Sequence, residues 1–217
     1  MGPNIISDQG LIWTSPARIR KDHYWIPVTV VLGATAALIA LDPVESHYFR
    51  NTSTYSGFNK IFSSNNAAVA TIVAPLSLYG AGLVRRDSKM QSTALLAGEA
   101  VADSEILRLV LTDIDRRIRP VAIQRQGNFS DSWFEEKGFR LAGAGSFPSG
   151  HTIAAFSIAT VVAREYGKRH HWVTYVAYGA AALIGFSRMS LSSHYLSDAF
   201  VGGVLGYSVS RFAVLRQ

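Results

Sequence analysis

The 217-residue chain contains no cysteine. That excludes disulfides, thiol catalysis and thiolate metal sites, and leaves the redox compartment unread. Charge is scarce as well. Asp, Glu, Lys and Arg make up 17% of the residues, against roughly 25% in an average soluble domain, so the chain is short of wettable surface. No repeat, low-complexity tract or polar linker interrupts it, and one folding unit over 1–217 is expected. The net charge of +6 does not read as nucleic-acid binding. Its basic residues stand in short groups between apolar runs rather than on one polar face. Any chemistry falls to His, Ser, Asp and Glu.

What is abundant is apolar sequence, 48% of the chain. Six segments read as apolar helices: 25–41, 67–84, 93–111, 151–166, 172–186 and 195–215. The expected fold is therefore all-α, a bundle of six transmembrane helices. Short cytoplasmic loops collect Lys and Arg. Arg18, Arg20 and Lys21 precede the first segment, and Arg85, Arg86 and Lys89 follow the second. Arg164, Lys168 and Arg169 follow the fourth, while Arg211 and Arg216 close the sixth. This pattern predicts a cytoplasmic segment over 1–24 and both termini in the cytoplasm, and with no small-residue cleavage pattern after it the first apolar segment reads as a retained transmembrane helix. The stretch 42–66, the long loop 112–150 and the turn 186–194 then face outward. Trp25 and Trp172 open their helices where an interfacial aromatic belt would lie, or else pack in the core. The third segment is interrupted by Glu99, Asp103, Glu105 and Arg108. Ionisable groups at membrane depth face the bundle interior or a site, unless they are paired structural charges or sit at the interface.

Three stretches carry candidate chemistry. Phe147-Pro148-Ser149-Gly150-His151-Thr152 immediately precedes an apolar helix. Ser149 is a natural N-cap, Gly150 permits close backbone approach, and a helix N-terminus attracts an oxyanion. The stretch reads as an anion cradle with His151 at its rim, or as an ordinary capped helix start. In the second, Ser187 to Asp198, His194 and Asp198 are four apart and share one helical face. A carboxylate there can fix the imidazole tautomer and leave the other nitrogen to attack. Two histidines and a carboxylate also suit a metal, but Arg188 and Arg119 would repel a cation and grip a phosphoryl group. The third is Thr112 to Pro120, with Pro120 expected to end a helix and leave Arg119 at its mouth. In isolation it reads equally as a solvated charge run. All three fall on the same expected side, at helix ends, which is evidence for one site.

These residues resemble the phosphatidic acid phosphatase type 2 superfamily. Its signature is Lys, six residues, Arg-Pro; then Pro-Ser-Gly-His; then Ser-Arg, five residues, His, three residues, Asp. The second and third elements match without a gap at 148–151 and 187–198. The resemblance implies His194 as nucleophile, Asp198 orienting it, and His151 protonating the leaving alkoxide. Arg119, Arg188, Ser149 and Gly150 would hold the phosphate oxygens, with no metal or organic cofactor. The first element departs from the pattern, since Thr112 stands where the family has lysine. Arg108 and Arg116, one turn to either side, are the candidates to supply the missing charge.

The expected activity is metal-independent hydrolysis of a lipid phosphate at the outward face of a bacterial inner or plasma membrane, through a phosphohistidine. The lipid would be a phosphatidate, a phosphatidylglycerophosphate or an isoprenyl diphosphate. The alternatives are a phosphatase of a soluble ester such as a sugar phosphate, or a homologue that binds lipid phosphate with impaired turnover because of Thr112. The expected partners are the substrate lipid and the bilayer, not nucleic acid. His23, His47, His170 and His171 show no partner spacing. Glu135-Glu136-Lys137 reads as solvated loop charge or part of a lid.

Overall fold

The structure, a computed structural model, describes residues 2–18, 25–135 and 145–216. Among these residues every regular element is helical. The helices are α1 (Gly2–Arg18), α2 (Trp25–Asn51), α3 (Ser56–Ile61), α4 (Ser64–Arg85), α5 (Ser88–Asp115), α6 (Gly150–Tyr166), α7 (His171–Ser190) and α8 (Leu196–Phe212). Six of them cover the six apolar segments. Two others were not expected: α1 lies in the polar segment 1–24, and α3 lies in the stretch read as loop. Arg20, Lys21, His23, Glu136 and Lys137 lie outside the described residues.

Boundaries also differ from the sequence reading. α2 runs ten residues past Leu41, through Pro43, because Asp42 is held by α8: Ser197 N–H donates to Asp42 Oδ1 at 3.0 Å. α5 begins where Asp87 Oδ1 accepts from the N–H of Lys89 (2.9 Å) and Met90 (3.1 Å). It ends at Asp115, not at Pro120, because Arg116 turns into the left-handed region at φ 44°. Pro120 instead opens a short 3-10 turn.

α6 is the central helix, packed against α5, α7 and α8, while α4 lies on α5 and α2 on α8. The contacts are made by small residues. Ala97, Ala100, Val161 and Val214 form one buried cluster, and Ala155, Ala159 and Ala181 another. Small side chains let helix backbones approach closely where dispersion and interhelical hydrogen bonds supply the cohesion.

The distribution of polarity is inverted relative to a water-soluble domain. Val30, Ile72, Leu76 and Val176 are each at least 59% exposed, while Asp42, Asp103, Arg188 and Asp198 are fully buried. α2 and α4 are long and apolar enough to cross a membrane. Trp25 and Trp172 are exposed, which excludes core packing for both. The charges interrupting α5 divide into two groups. Glu99 and Asp103 are buried, and α1 lies against α5, where Gln9 Nε2 donates to Asp103 Oδ1 at 2.9 Å. Glu105 and Arg108 pair at 2.6 Å one turn further on.

Candidate active site

The three sequence stretches meet at one end of the bundle, joined through the backbone. Ser146 N–H donates to the Arg117 carbonyl (2.7 Å), Ser149 N–H to the Asp198 carbonyl (3.1 Å), and Val121 N–H to the Ser192 carbonyl (2.8 Å). These bonds fix the end of α5, the start of α6 and the α7–α8 turn to one another. The charge-run reading of 112–120 is thereby excluded, since Arg117 is fully buried.

His194 lies in the turn before α8 and is almost fully buried. Its Nδ1 is 2.6 Å from the Ser146 carbonyl oxygen. A carbonyl only accepts, so Nδ1 carries the proton and Nε2 is left with its lone pair. Asp198 does not make this bond, contrary to expectation: its Oδ2 is 3.8 Å from Nδ1. It acts one residue away. Asp198 Oδ2 accepts from Ser146 Oγ at 2.5 Å and from Tyr195 N–H at 2.9 Å. The carboxylate therefore holds Ser146, and Ser146 holds the imidazole.

Burial pushes His194 well below the ordinary imidazole range, and the nearby Arg119 adds to the push. A neutral imidazole is the form a nucleophile needs. An unfolded histidine takes up its proton near pH 6.5 and the folded one only at lower pH, so between these values the unfolded chain binds more protons. Stability is present above about pH 6.5 and is lost as pH falls. The wild-type unfolding temperature is expected to drop more steeply below that pH than that of His194→Gln; parallel curves would contradict a neutral His194.

Three guanidiniums stand around the two histidines. Arg188, Arg119 and Arg108 all lie near enough to act on His151 electrostatically, and Arg119 and Arg188 act on His194. Arg119 Nε reaches the Gly145 carbonyl at 3.4 Å. Arg188 is fully buried. It donates to the Phe62 carbonyl (2.5 Å), to Ser64 Oγ (3.0 Å) and through Nε to Ser187 Oγ (3.1 Å). His151 Nε2 contacts the Ser64 carbonyl at 3.1 Å, so it too carries its proton at a known nitrogen. The corner between α3 and α4 is thus part of the site. It is docked on α7 by Asn59 Nδ2 donating to the Ser190 carbonyl (3.0 Å) and by Phe58 against Phe186 (5.5 Å between centroids).

Ser149 is the N-cap of α6, but its side chain accepts no cap hydrogen bond; its Oγ accepts instead from Thr152 Oγ1 at 2.9 Å. At Gly150 a Cβ would lie 2.9 Å from Arg108 Cδ and 3.0 Å from its Nε, so the glycine lets Arg108 lie against the start of α6 where a side chain would make it shift. Thr112, placed among the phosphate-binding residues by the sequence, is buried, and its Oγ1 donates to the Phe147 carbonyl at 2.9 Å, tying the loop before α6 to α5. Arg116 is not on the helical face through Thr112. It occupies the left-handed C-cap, where the spacing argument for it no longer holds.

Sequence reasoning missed Arg117, Asp42 and Ser146. Arg117 Nη1 donates to Asp198 Oδ1 (2.6 Å) and Ser197 Oγ (2.9 Å), Nη2 to Asp42 Oδ2 (2.7 Å), and Nε to Ser132 Oγ (3.1 Å). Its guanidinium lies 3.7 Å from the Tyr195 ring centroid and 4.2 Å from that of Trp133. The only signal for Asp42 in the sequence was a carboxylate directly at the end of an apolar run.

Residues 92–217 match the model of the PAP2 superfamily. A stretch of 66 residues is 41% identical to the lipid A 1-phosphatase of Porphyromonas gingivalis. It covers 30% of this chain and only 15% of that relative's length. Among solved structures, a transmembrane PAP2 type phosphatidylglycerolphosphate phosphatase from Bacillus subtilis aligns over 98% of this chain and 94% of its own. The TM-score is 0.47 and the identity 19%.

Proposed function

The chain belongs to the PAP2 superfamily, and on that premise we propose that it is a membrane-embedded phosphatase of a lipid phosphate, working through a phosphohistidine on His194. One observation carries the reading. A buried imidazole with its Nε2 lone pair available stands beside a second histidine and three guanidiniums at the start of α6. Positive charge at a helix N-terminus suits a phosphoryl group, and an aimed imidazole suits attack on it.

The mechanism is two in-line displacements. His194 Nε2 attacks phosphorus, the P–O bond to the lipid breaks, and the leaving alkoxide takes a proton from His151, which enters the step as the imidazolium that a bound phosphate favours and leaves it neutral, its Nε2–H still on the Ser64 carbonyl. Arg108, Arg119, Arg188 and the backbone N–H groups of Gly150 and His151 neutralise the equatorial oxygens. Water then attacks phosphorus, His151 takes its proton, the P–N bond breaks, and inorganic phosphate leaves with the electron pair returned to Nε2.

Lipid as the substrate class is supported by the outward-facing apolar side chains of α2, α4 and α7, which suit a bilayer, and by the lipid substrate in the name of the P. gingivalis relative. A bacterial inner or plasma membrane with the site on the outward face and both termini in the cytoplasm fits the grouping of basic residues. Phosphate release from lipid A, phosphatidylglycerophosphate, phosphatidate, an isoprenyl diphosphate and a sugar phosphate tests the assignment. Activity on the sugar phosphate alone would defeat it.

The same assay locates the charge that the family draws from lysine. Arg108 lies against Gly150, and a charge-assisted hydrogen bond is worth about 1.5–3 kcal/mol, so Arg108→Ala is expected to lower kcat/KM by roughly 10- to 100-fold. Arg116→Ala, at the C-cap, is expected to stay within about threefold. The reverse order would mean that Arg108 serves only its pair with Glu105.

A further inference from the structure

Two of the three partners around Asp198 belong to the cradle and the α8 cap: Ser146 Oγ and Tyr195 N–H. The third is Arg117, whose role no sequence motif accounts for. It is buried with its two carboxylates, Asp42 and Asp198, to 1% exposure or less for every side chain of the three. A buried ion pair is poor evidence for stability, because desolvation offsets most of its attraction. Its geometry is better evidence for positioning.

The chain of contacts is continuous. Asp42 Oδ2 accepts from Arg117 Nη2 (2.7 Å) and from Ser197 Oγ (2.5 Å), so α2 fixes one edge of the guanidinium. Arg117 Nη1 then places Asp198 Oδ1 at 2.6 Å, leaving Oδ2 for Ser146 Oγ. The Ser146 carbonyl sets the imidazole of His194. Two faces of the same fork reach two different helices, a task a guanidinium performs and an ammonium does not. The rings of Tyr195 and Trp133 hold its plane.

We propose that Arg117, braced by Asp42, is a positioning residue that aims the nucleophile through Asp198 and Ser146. This rests on His194 being the nucleophile. Arg117 touches no substrate. It acts by fixing the line along which Nε2 meets phosphorus, where a misplacement of about 1 Å costs on the order of 100-fold.

The test uses the full chain in detergent, with turnover on a lipid phosphate expressed per mole of enzyme that can be phosphorylated, so that loss of folded protein does not count. Arg117→Lys keeps the charge and loses the fork; Asp42→Asn keeps the shape and loses the brace. Each is expected to lower kcat by about 10- to 100-fold with KM within about threefold. In an Asp198→Asn background, Arg117→Lys is expected to add less than about threefold, because both act along one path. Multiplicative effects, a change in KM alone, or unchanged kcat would overturn the inference. If Arg117→Lys does not fold, Asp42→Asn alone and with Asp198→Asn decides the same question. A wild-type chain that releases no phosphate would remove the phosphatase reading and the positioning role together, whereas an active wild type with unaffected variants removes only the latter.

Discussion

His194→Ala is expected to abolish turnover, with a loss on the order of 10⁴-fold or more. The imidazole is the group whose Nε2 lone pair is left available by a fixed hydrogen bond at Nδ1, and no cysteine exists to take its place. Kinetics alone would not separate a nucleophile from a general base. Acid-stable and acid-labile phosphoenzymes differ, so brief incubation with radiolabelled substrate and trapping under alkaline conditions is the decisive measurement. Label should appear on the wild type and vanish in His194→Ala. His151→Ala should still be labelled when the leaving group needs no proton, and should lose the label slowly if, as proposed, His151 also activates water. Label persisting in His194→Ala would transfer the role of nucleophile to another residue.

The second large effect is expected at the crossing of α6 and α8. A Cβ at Gly206 would lie 2.4 Å from the Ile153 carbonyl oxygen, and one at Gly202 would lie 2.8 Å from that of Ser149. Both obstacles are backbone, so neither can rotate away, and the helices must part. Overpacking of this kind costs about 1–3 kcal/mol or more. Gly206→Ala is expected to lower the unfolding temperature by several degrees, roughly 2–4 °C per kcal/mol for a chain of this size. Activity should fall with it, because α8 carries Asp198 and its carbonyl receives the N–H of Ser149. Gly179→Ala, where a Cβ meets nothing within 4 Å, is the matched control and should change neither. Equal unfolding temperatures for the two variants would show that the crossing has slack.

The readable part of this site was the part written in local sequence. Pro148-Ser149-Gly150-His151 announces a helix start by its own chemistry, and His194 and Asp198 are four apart in sequence. Six apolar runs announced six helices. The unreadable part was tertiary. Arg117 stands in a run of charges that, alone, looks solvated; what buries it are Asp42, distant in sequence, and the rings of Trp133 and Tyr195. Ser146 is an ordinary serine until its carbonyl meets His194. The geometric link from Asp198 to His194 was inferred from an i, i+4 spacing that the start of α8 does not honour, because His194 precedes the helix. Thr112 was read by what it replaces, whereas its hydroxyl answers to Phe147 across the loop. α1 is invisible in the sequence because its place against α5 depends on tertiary contacts such as Gln9 with Asp103.

Asp42 lies outside residues 92–217, the region that matches the family, yet it supplies half the countercharge for an arginine inside that region. The family-shared portion is therefore not an exchangeable cassette. A chimera that grafts residues 92–217 of this chain onto another amino-terminal half keeps the guanidinium and loses its second carboxylate, unless the new half places one there. Asp42 and Arg117 have to be transplanted as a pair.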